Sequence, residues 1–403
     1  MGEGVVALAE ARRGEILSFL QELVRLRSVN GRDTEAAVAH CIAAEAGRLG
    51  LDAQLVAADG ERPNVLVNWG KGPAGFALIG HMDTVAEGNA DDWSRPPFAA
   101  EIDGGRLIGR GTADNKAGIA CGLYALALLH DHRLLDPTAA RVLLAGVVDE
   151  ESGASSPLGV RYLLDAGYLP AQGAIYTYAG DIICVGHRGL LRLQLRAQGR
   201  SVHTGSAAWS QGRSGVNAVT GLAAVLVALE QLRLPAPAHP AFAGLGCTIT
   251  PGTLFAGGDF ESMVPATATA MVDIRLMPGQ SADAALAAVQ AVIDGEVGQR
   301  PGLAVSLTVK NRLPGAAIPS DHPLVQVAQR HAQALTGRPW PVAGAGPANE
   351  GYMLIEAGIP TLCGFGPQGG NAHAPDEWVA IDSLATTVAM YAAIIQEYLW
   401  LPR

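Results

Sequence analysis

The chain has 403 residues, of which 49% are hydrophobic and 16% charged, and its formal net charge is −10. This composition excludes a disordered protein, and the length favours two domains over one. Because the acidic chain has no block of Lys or Arg and no apolar run of the roughly 20 residues that span a bilayer, we expect neither nucleic acid nor a membrane as a partner.

The first part of the chain predicts alternating helices and strands. In chain order we predict helices at residues 13–27 and 34–49, strands at 64–69 and 76–80, a helix at 117–130 and a strand at 141–148. The strands are nearly continuous apolar runs, which is typical of strands buried on both faces. This order predicts an α/β fold with a mixed, mostly parallel central sheet flanked by helices.

The pattern changes after Gly186. We predict a strand at 190–198, a helix at 215–232, strands at 247–255 and 266–276, a helix at 282–294 and a strand at 303–309. Such a βαββαβ order indicates a two-layer α+β domain. The first pattern resumes with a helix at 324–335, a strand at 361–365 and a helix at 381–399. We therefore predict one domain from residues 1–187 and 313–403, with residues 188–312 inserted into it.

A histidine and an aspartate directly follow the second predicted strand. Residues 80–84 read Gly-His-Met-Asp-Thr, and His81 and Asp83 point to the same side of an extended segment. In this arrangement His81 could bind a metal ion while Asp83 orients its ring. The alternative is a histidine at a strand end that makes a surface hydrogen bond.

Two further acidic positions lie at the ends of predicted elements. Asp114 lies in a glycine-rich segment, residues 111–118, where a loop enters a helix, so it is either a metal ligand or a helix N-cap. Asp149, Glu150 and Glu151 follow a buried strand. Three consecutive carboxylates repel one another unless cations are present, so we favour a site over a solvated acidic loop. One glutamate could then hold a metal ion while its neighbour takes a proton from water.

A second histidine, His373, lies among small residues at 369–377. Imidazole nitrogen and carboxylate oxygen without cysteine suit Zn²⁺, Mn²⁺ or Co²⁺ better than Ca²⁺. Because sites in open α/β sheets form beyond the carboxyl ends of the strands, we expect these positions to meet there.

At these motifs the chain resembles the M20 family of metallopeptidases and deacylases. That family includes carboxypeptidases of the G2 type, succinyl-diaminopimelate desuccinylase, acetylornithine deacetylase and aminoacylases. The matching segments are residues 80–85, 111–118, 149–151 and 373–377, in the family's order. The resemblance covers essentially the whole chain. It implies hydrolysis of an amide C–N bond in an N-acyl amino acid or small peptide by metal-activated water.

The resemblance also implies a role for each motif residue. His81 would bind one metal ion, Asp114 would bridge two, and Glu151 with His373 would hold the other. Asp83 would support His81, and Glu150 would be the general base. We expect Zn²⁺, with Mn²⁺ or Co²⁺ as alternatives.

In the inserted domain the resemblance implies a lid that carries substrate contacts and forms a homodimer. Residues 201–205 (SVHTG) match the lid motif, and His203 would stabilise the oxyanion. Asn217 and Arg275 match further lid positions, and Arg275 would bind a substrate carboxylate because a guanidinium binds it with two hydrogen bonds. Asn349, in the loop at 344–350, is a third candidate substrate contact.

One position departs from the family pattern. The family has an acidic ligand for the first metal ion about ten residues before a Gly-His-Arg-Gly segment, which here is residues 186–189. Counting back reaches Thr177, a poor ligand, so either Asp181 binds that ion or the enzyme holds only one ion. Two alternatives stay open: hydrolysis of another C–N bond, such as that of an aryl amine or amidine, and a non-catalytic relative that binds metal or ligand.

The sequence also predicts a cytoplasmic protein. The first 20 residues carry five charged residues among apolar ones, so we predict no signal peptide. The five cysteines are far apart and form no CxxC motif, which is typical of free thiols in a reducing compartment.

Overall fold

The computed structural model describes residues 2–401. It divides into two compact units. Unit 1 contains the chain up to Gly186, Ala317–Ala345 and the chain from Asn349 onward, and unit 2 contains His187–Ala316 with Gly346–Ala348. The insertion predicted at residues 188–312 falls inside unit 2, which begins one residue earlier, at His187, and continues to Ala316.

The helices of the described residues follow the predicted order and add short ones. They are α1 Gly2–Glu10, α2 Arg13–Arg25, α3 Ala36–Arg48, α4 Ala117–Asp131, α5 Val160–Asp165, α6 Ala207–Ser210, α7 Ala218–Gln231, α8 Ala282–Gly298, α9 Pro323–Thr336, α10 Gly351–Glu356 and α11 Ile381–Leu399. None of these described helices has the length and apolar character needed to cross a membrane.

The strands are more numerous than predicted because many are short. They are β1 Asp52–Val56, β2 Asn64–Gly70, β3 Ala74–His81, β4 Glu101–Asp103, β5 Arg106–Ile108, β6 Ala140–Val147, β7 Ala174–Tyr176, β8 Ile183–His187, β9 Gly189–Gln198, β10 Thr248–Gly257, β11 Thr267–Leu276, β12 Ala304–Leu313, β13 Ala316–Ala317, β14 Val342–Ala345, β15 Thr361–Leu362, β16 Gly369–Gly370 and β17 Trp378–Ala380. Segments of two or three residues carry no periodicity that a sequence could reveal.

The central sheet of unit 1 has six strands in the order β1-β2-β6-β3-β7-β15. The neighbours β6, β3, β7 and β15 are parallel, while β2 runs antiparallel to both β1 and β6. This confirms the predicted mixed, mostly parallel sheet flanked by helices. Nearly every residue of β3 and β6 is buried, because a parallel sheet is covered on both faces. The carboxyl ends of β3, β6 and β7 consequently lie side by side at one edge.

Unit 2 contains an antiparallel sheet of four strands in the order β10-β11-β9-β12. Along β11, buried and half-buried residues alternate strictly, since successive side chains point to opposite faces. Apolar residues of α7 and α8 pack on the buried face, as in Leu222 and Val289 against Leu193 and Val272. Unit 2 is therefore the two-layer βαββαβ fold that the sequence predicts.

Candidate active site

His81 is the last residue of β3, where it pairs with Val147 at the end of β6. It is fully buried, which excludes the surface hydrogen bond considered above. Its Nδ1 lies 3.0 Å from the backbone oxygen of Asp83, and its Nε2 lies 2.8 Å from Oδ1 of Asp114. Because Nδ1–H donates to the carbonyl, Nε2 is the nitrogen that faces Asp114, where its proton donates to the carboxylate or a metal ion takes the place of that proton.

Asp83 connects His81 to the acidic loop. Its buried carboxylate accepts hydrogen bonds from Nδ2 of Asn30 at 2.7 Å and from the backbone N–H groups of Glu150 and Glu151 at 3.2 and 2.9 Å. Burial opposes ionisation of Asp83, but His81 and these donors outweigh it and lower the pKa. Asp83 therefore stays charged and fixes the loop that carries both glutamates.

Asp114 lies in a kinked helical turn, Thr112–Lys116, just before α4. Its backbone is not helical, and its peptide bond to Asn115 is cis. Oδ1 faces His81, while Oδ2 lies 3.3 Å from Nε2 of His373. The carboxylate therefore lies between two imidazoles instead of capping the helix.

Glu377 holds the Asp114 turn in place. Its buried carboxylate accepts hydrogen bonds from the backbone N–H groups of Gly111, Ala113 and Asp114 at 2.8 to 3.0 Å and pairs with Arg110 at 2.6 Å. These bonds satisfy backbone donors that would otherwise be buried without partners. Glu377 lies 263 residues from Asp114, so this contact exists only in the fold.

The three consecutive carboxylates point to three different partners. Asp149 adopts a left-handed backbone, φ +65°, which turns the chain after β6. Its Oδ1 accepts a hydrogen bond from Arg62 at 2.9 Å. Glu150 accepts one from the hydroxyl of Tyr178 at 3.0 Å, and Glu151 lies 3.1 Å from Nε2 of His373. Each carboxylate thus has a partner that offsets the repulsion expected for this sequence, and Asp149 has a second one in Nδ2 of Asn30.

Glu150 is the most buried of the three, with 6% of the residue exposed. Burial raises its pKa to about 8; His81 opposes the rise, while the carboxylates of Glu151 and Asp114 add to it. A carboxylate whose pKa lies near neutrality is suited to accept a proton and release it again.

His373 lies on a loop whose backbone is left-handed at three residues, Asn371, His373 and Asp376, types that tolerate this conformation well. Two hydrogen bonds from Asn371 to the backbone oxygens of Pro375 and Asp376 close the loop. The imidazole is 54% exposed, in contrast to that of His81. Hydrogen bonds to Asp114 and then to Glu151 raise its pKa to about 10.

These side chains fit a divalent cation. Ligand atoms of His81, Asp114 and Glu151 lie within 4.8 Å of one another, and His373 contacts the last two. Two imidazoles and two carboxylates without sulfur suit a transition-metal ion, and the raised pKa of His373 shows that the carboxylates attract positive charge.

The structure does not place Asp181 in this cluster. The carboxylate of Asp181 is 58% exposed and pairs with Arg338 at 3.1 Å. This exposed position keeps the carboxylate hydrated. Thr177 is buried, and its hydroxyl lies 3.0 Å from the backbone oxygen of Ile79 and 3.2 Å from Oδ1 of Asn115, so its contacts are with these two acceptors and not with a ligand of the cluster. The next residue, Tyr178, faces it instead, with its ring 5.5 Å from that of His81.

The predicted lid residues lie in unit 2. His203 is exposed, and its Nδ1 accepts the N–H of Gly205 at 3.0 Å. Asn217 caps α7, since its Oδ1 accepts two backbone N–H groups of the first turn. The guanidinium of Arg275 binds Asp273 at 2.8 Å. Their roles toward a substrate stay predictions.

Asn349, in unit 1, uses both ends of its amide within the protein. Its Nδ2 donates to the backbone oxygen of Cys363 at 2.6 Å, and its Oδ1 accepts the N–H of Gly351 at 2.9 Å. This gives Asn349 a structural role, and its contact with substrate stays a prediction.

Sequence reasoning assigned no role to Tyr178, Glu377 or Asn30. Glu377 ends the last matching motif, so its position was visible but its partners were not. Tyr178 directly follows Thr177, the position that the family spacing indicates for an acidic ligand. No pattern in the sequence shows which of these two side chains faces the site. Asn30 carried no signal.

Residues 77–397 match the model of Peptidase family M20/M25/M40. A succinyl-diaminopimelate desuccinylase from Roseobacter denitrificans is 29% identical over 400 residues, covering 94% of this chain and 97% of that protein. Among solved structures, the M20 family metallo-carboxypeptidase Sso-CP2 of Sulfolobus solfataricus has a TM-score of 0.74 at 19% identity, covering 96% and 100% of the two chains. A dinuclear metal-binding M20 peptidase of Bacillus subtilis has a TM-score of 0.73 at 15% identity, covering 97% and 99%.

These relatives do not favour the two alternatives, hydrolysis of an aryl amine or amidine and a non-catalytic binding protein. The match covers most of the chain and includes the segments that form the cluster. The chain therefore belongs to peptidase family M20/M25/M40, and it is a metal-dependent hydrolase that acts on amide bonds.

Proposed function

We propose that the protein hydrolyses the amide bond of an N-acyl amino acid or a small peptide, with Glu150 as general base. The observation that carries this proposal is the position of Glu150, a buried carboxylate between Tyr178 and the cluster of His81, Asp114, Glu151 and His373. The desuccinylase relative acts on an acylated amino acid, in agreement with this substrate class.

His81, Asp114, Glu151 and His373 are the proposed metal ligands, and Zn²⁺ is the proposed ion, with Mn²⁺ or Co²⁺ as alternatives. A divalent ion held there supplies Lewis acidity, which polarises a carbonyl and lowers the pKa of water. Asp83 and Glu377 fix the segments on which two of these ligands lie, Glu151 and Asp114.

Glu150 carries the proton of the reaction. It accepts a proton from the attacking water as the water oxygen bonds to the carbonyl carbon. It then gives that proton to the nitrogen as the C–N bond breaks, so the products are a carboxylic acid, which loses its remaining proton to solvent, and an amine. The hydrogen bond from Tyr178 to Oε1 holds the Glu150 carboxylate in one orientation.

Unit 2 is proposed to supply substrate recognition. Arg275 would bind a substrate carboxylate, for which it must exchange Asp273, and His203 would stabilise the oxyanion. Asn217 and Asn349 are the further proposed substrate contacts. Their positions in the family motifs support this proposal, while their side chains hydrogen-bond to the backbone of the protein.

We also propose a homodimer through unit 2. The edge strand β10 carries exposed Leu254 and Phe255, and exposed Phe260 and Met263 follow it. Exposed apolar side chains grouped at a strand edge favour pairing with a second copy of the chain. Five free cysteines, three of them buried, support the proposed cytoplasmic location.

Activity on a panel of N-acyl amino acids tests the function. The chain should be stripped of metal, reloaded with Zn²⁺, Mn²⁺ or Co²⁺, and compared with its Glu150→Gln variant. Hydrolysis that depends on metal and on Glu150 supports the proposal, whereas loaded protein inactive on every amide would contradict it. For recognition, Arg275→Ala should lose the preference for acyl amino acids over their decarboxylated analogues, and Arg192→Ala, which removes the other partner of Asp273, is the matched control.

A further inference from the structure

The cluster has fewer ligands than two metal ions need. An ion in a catalytic site usually has three protein ligands and an open position. Two ions that share Asp114 would therefore need five residues, whereas the structure brings together four: His81, Asp114, Glu151 and His373. The missing ligand is on the His81 side, because His81 contacts Oδ1 of Asp114 without a second acidic partner, whereas His373 contacts both Oδ2 of Asp114 and Glu151.

The missing ligand would have to come from the chain that follows β7. Strand β7 is the neighbour of β3, and Tyr176 pairs with Ile79 two residues before His81. The next residues along β7 therefore reach the same edge of the sheet as His81. Residues 177 and 178 lie beyond the end of β7, and the hydroxyl of Thr177 contacts the backbone oxygen of Ile79, so only one of the two side chains lies beside His81.

That residue is Tyr178. Its ring lies 5.5 Å from the imidazole of His81, and its hydroxyl donates to Glu150 at 3.0 Å. A neutral phenol whose proton is directed at a carboxylate is a poor ligand for a divalent ion. The bulk of the ring also occupies the space beside His81.

Most of the other carboxylates near the site already have partners, and the buried Glu350 accepts a hydrogen bond from the hydroxyl of Tyr176 at 3.3 Å through Oε2 only. Asp83 binds Asn30 and two backbone N–H groups, and Asp149 binds Arg62. Glu377 binds three backbone N–H groups, and Asp181 pairs with Arg338. Drawing any of them to the His81 side would break these contacts.

From these contacts we infer that each chain binds a single divalent ion among the donors of His81, Asp114, Glu151 and His373, and that Tyr178 occupies the place of the ligand that a second ion would need. The inference rests on the proposed function. It separates this chain from the Bacillus subtilis relative described as dinuclear.

Metal counting tests the inference. The full chain should be stripped of metal, loaded with Mn²⁺ and freed of excess ion. Elemental analysis then gives the number of ions per chain, and electron paramagnetic resonance distinguishes an isolated Mn²⁺ from a coupled pair. We expect one isolated ion in the wild type, two coupled ions in Tyr178→Glu and one in Tyr178→Phe, the matched control that removes the hydroxyl without adding a carboxylate.

Two coupled ions in the wild type would overturn the inference, and so would a folded Tyr178→Glu variant that still holds one ion. If Tyr178→Glu does not fold, the count in the wild type decides alone. Two ions together with amide hydrolysis would leave the proposed function intact. A chain that binds no ion and hydrolyses no amide would instead contradict the proposed function, and the single-ion inference with it.

Discussion

Asp114 faces two histidines whose surroundings differ. His81 ends a buried strand, is itself fully buried, and lies between Asp83 and Tyr178. His373 lies on an irregular loop, its imidazole is 54% exposed, and its Nε2 lies 3.1 Å from Oε1 of Glu151. One side of the carboxylate is enclosed by protein, and the other is open to solvent.

The difference assigns different tasks to the two sides. On the enclosed side both ring nitrogens of His81, the carboxylate of Asp83 and Oε1 of Glu150 have protein partners, which gives Asp114 and Glu150 fixed positions before a ligand arrives. On the open side the imidazole of His373 is exposed to solvent, as entry of a cation and a substrate requires. The open side should therefore determine metal affinity, and the enclosed side should determine the orientation of the base.

The largest effect is expected from His373→Ala. The exposed imidazole contributes little to packing, so the fold should persist while one of the ligands on the open side is lost. We expect metal affinity to fall by more than the roughly 10- to 100-fold typical of losing a residue that only supports a ligand. Metal titration followed by elemental analysis measures this fall.

The control for His373→Ala is His322→Ala, which removes another histidine of unit 1 that lies outside the metal cluster, at the start of α9. It should leave metal affinity unchanged. Equal metal affinity in His373→Ala and the wild type would show that the open side does not bind the ion.

Glu150→Gln should give the next largest effect. The amide keeps the shape of the side chain but cannot accept the proton, so kcat should fall by about 10²- to 10⁴-fold. Metal content should not change, because Glu150 is the base and not a ligand. Steady-state kinetics on protein of known metal content checks both, and an unchanged kcat would refute the assignment.

The long elements and the ligand motifs could be predicted because their signals are local. Strand β3 and helix α4 span eight and 15 mostly apolar residues; His81 is the last residue of β3, and Asp114 lies three residues before α4. The βαββαβ order of unit 2 was visible for the same reason. Local hydrophobic patterns determine where such elements occur.

The surroundings of the ligands could not be predicted. Glu377 contacts a turn 263 residues away, and a sequence does not show which of Thr177 and Tyr178 faces His81. Strand β7 has only three residues, too few to reveal its alternation. The sequence therefore places the departure from the family pattern at Thr177, whereas the structure places the neighbouring Tyr178 beside His81.

Glu377→Gln should have a smaller effect on metal binding. The amide has one accepting oxygen, whereas the two carboxylate oxygens of Glu377 accept hydrogen bonds from the backbone N–H groups of Gly111, Ala113 and Asp114. Some of these bonds should be lost, and Asp114 should lose its fixed position. We expect metal affinity to fall by about 10- to 100-fold, as for other residues that orient a ligand. Calorimetric titration with Zn²⁺ measures it, and an affinity equal to that of the wild type would show that the turn is held by other contacts.

The smallest effect is expected from Asp181→Asn, which examines the enclosed side directly. If Asp181 were a ligand for an ion beside His81, its amide would lower the metal content and the activity. In the structure its carboxylate is exposed and pairs only with Arg338, and such surface pairs contribute about 0 to 1 kcal/mol. We therefore expect unchanged metal content and kcat, with a melting temperature within a few degrees of that of the wild type. Glu151→Gln, measured alongside, should lose the ion. Metal loss in Glu151→Gln but not in Asp181→Asn would show that Asp181 does not move to the His81 side to bind an ion.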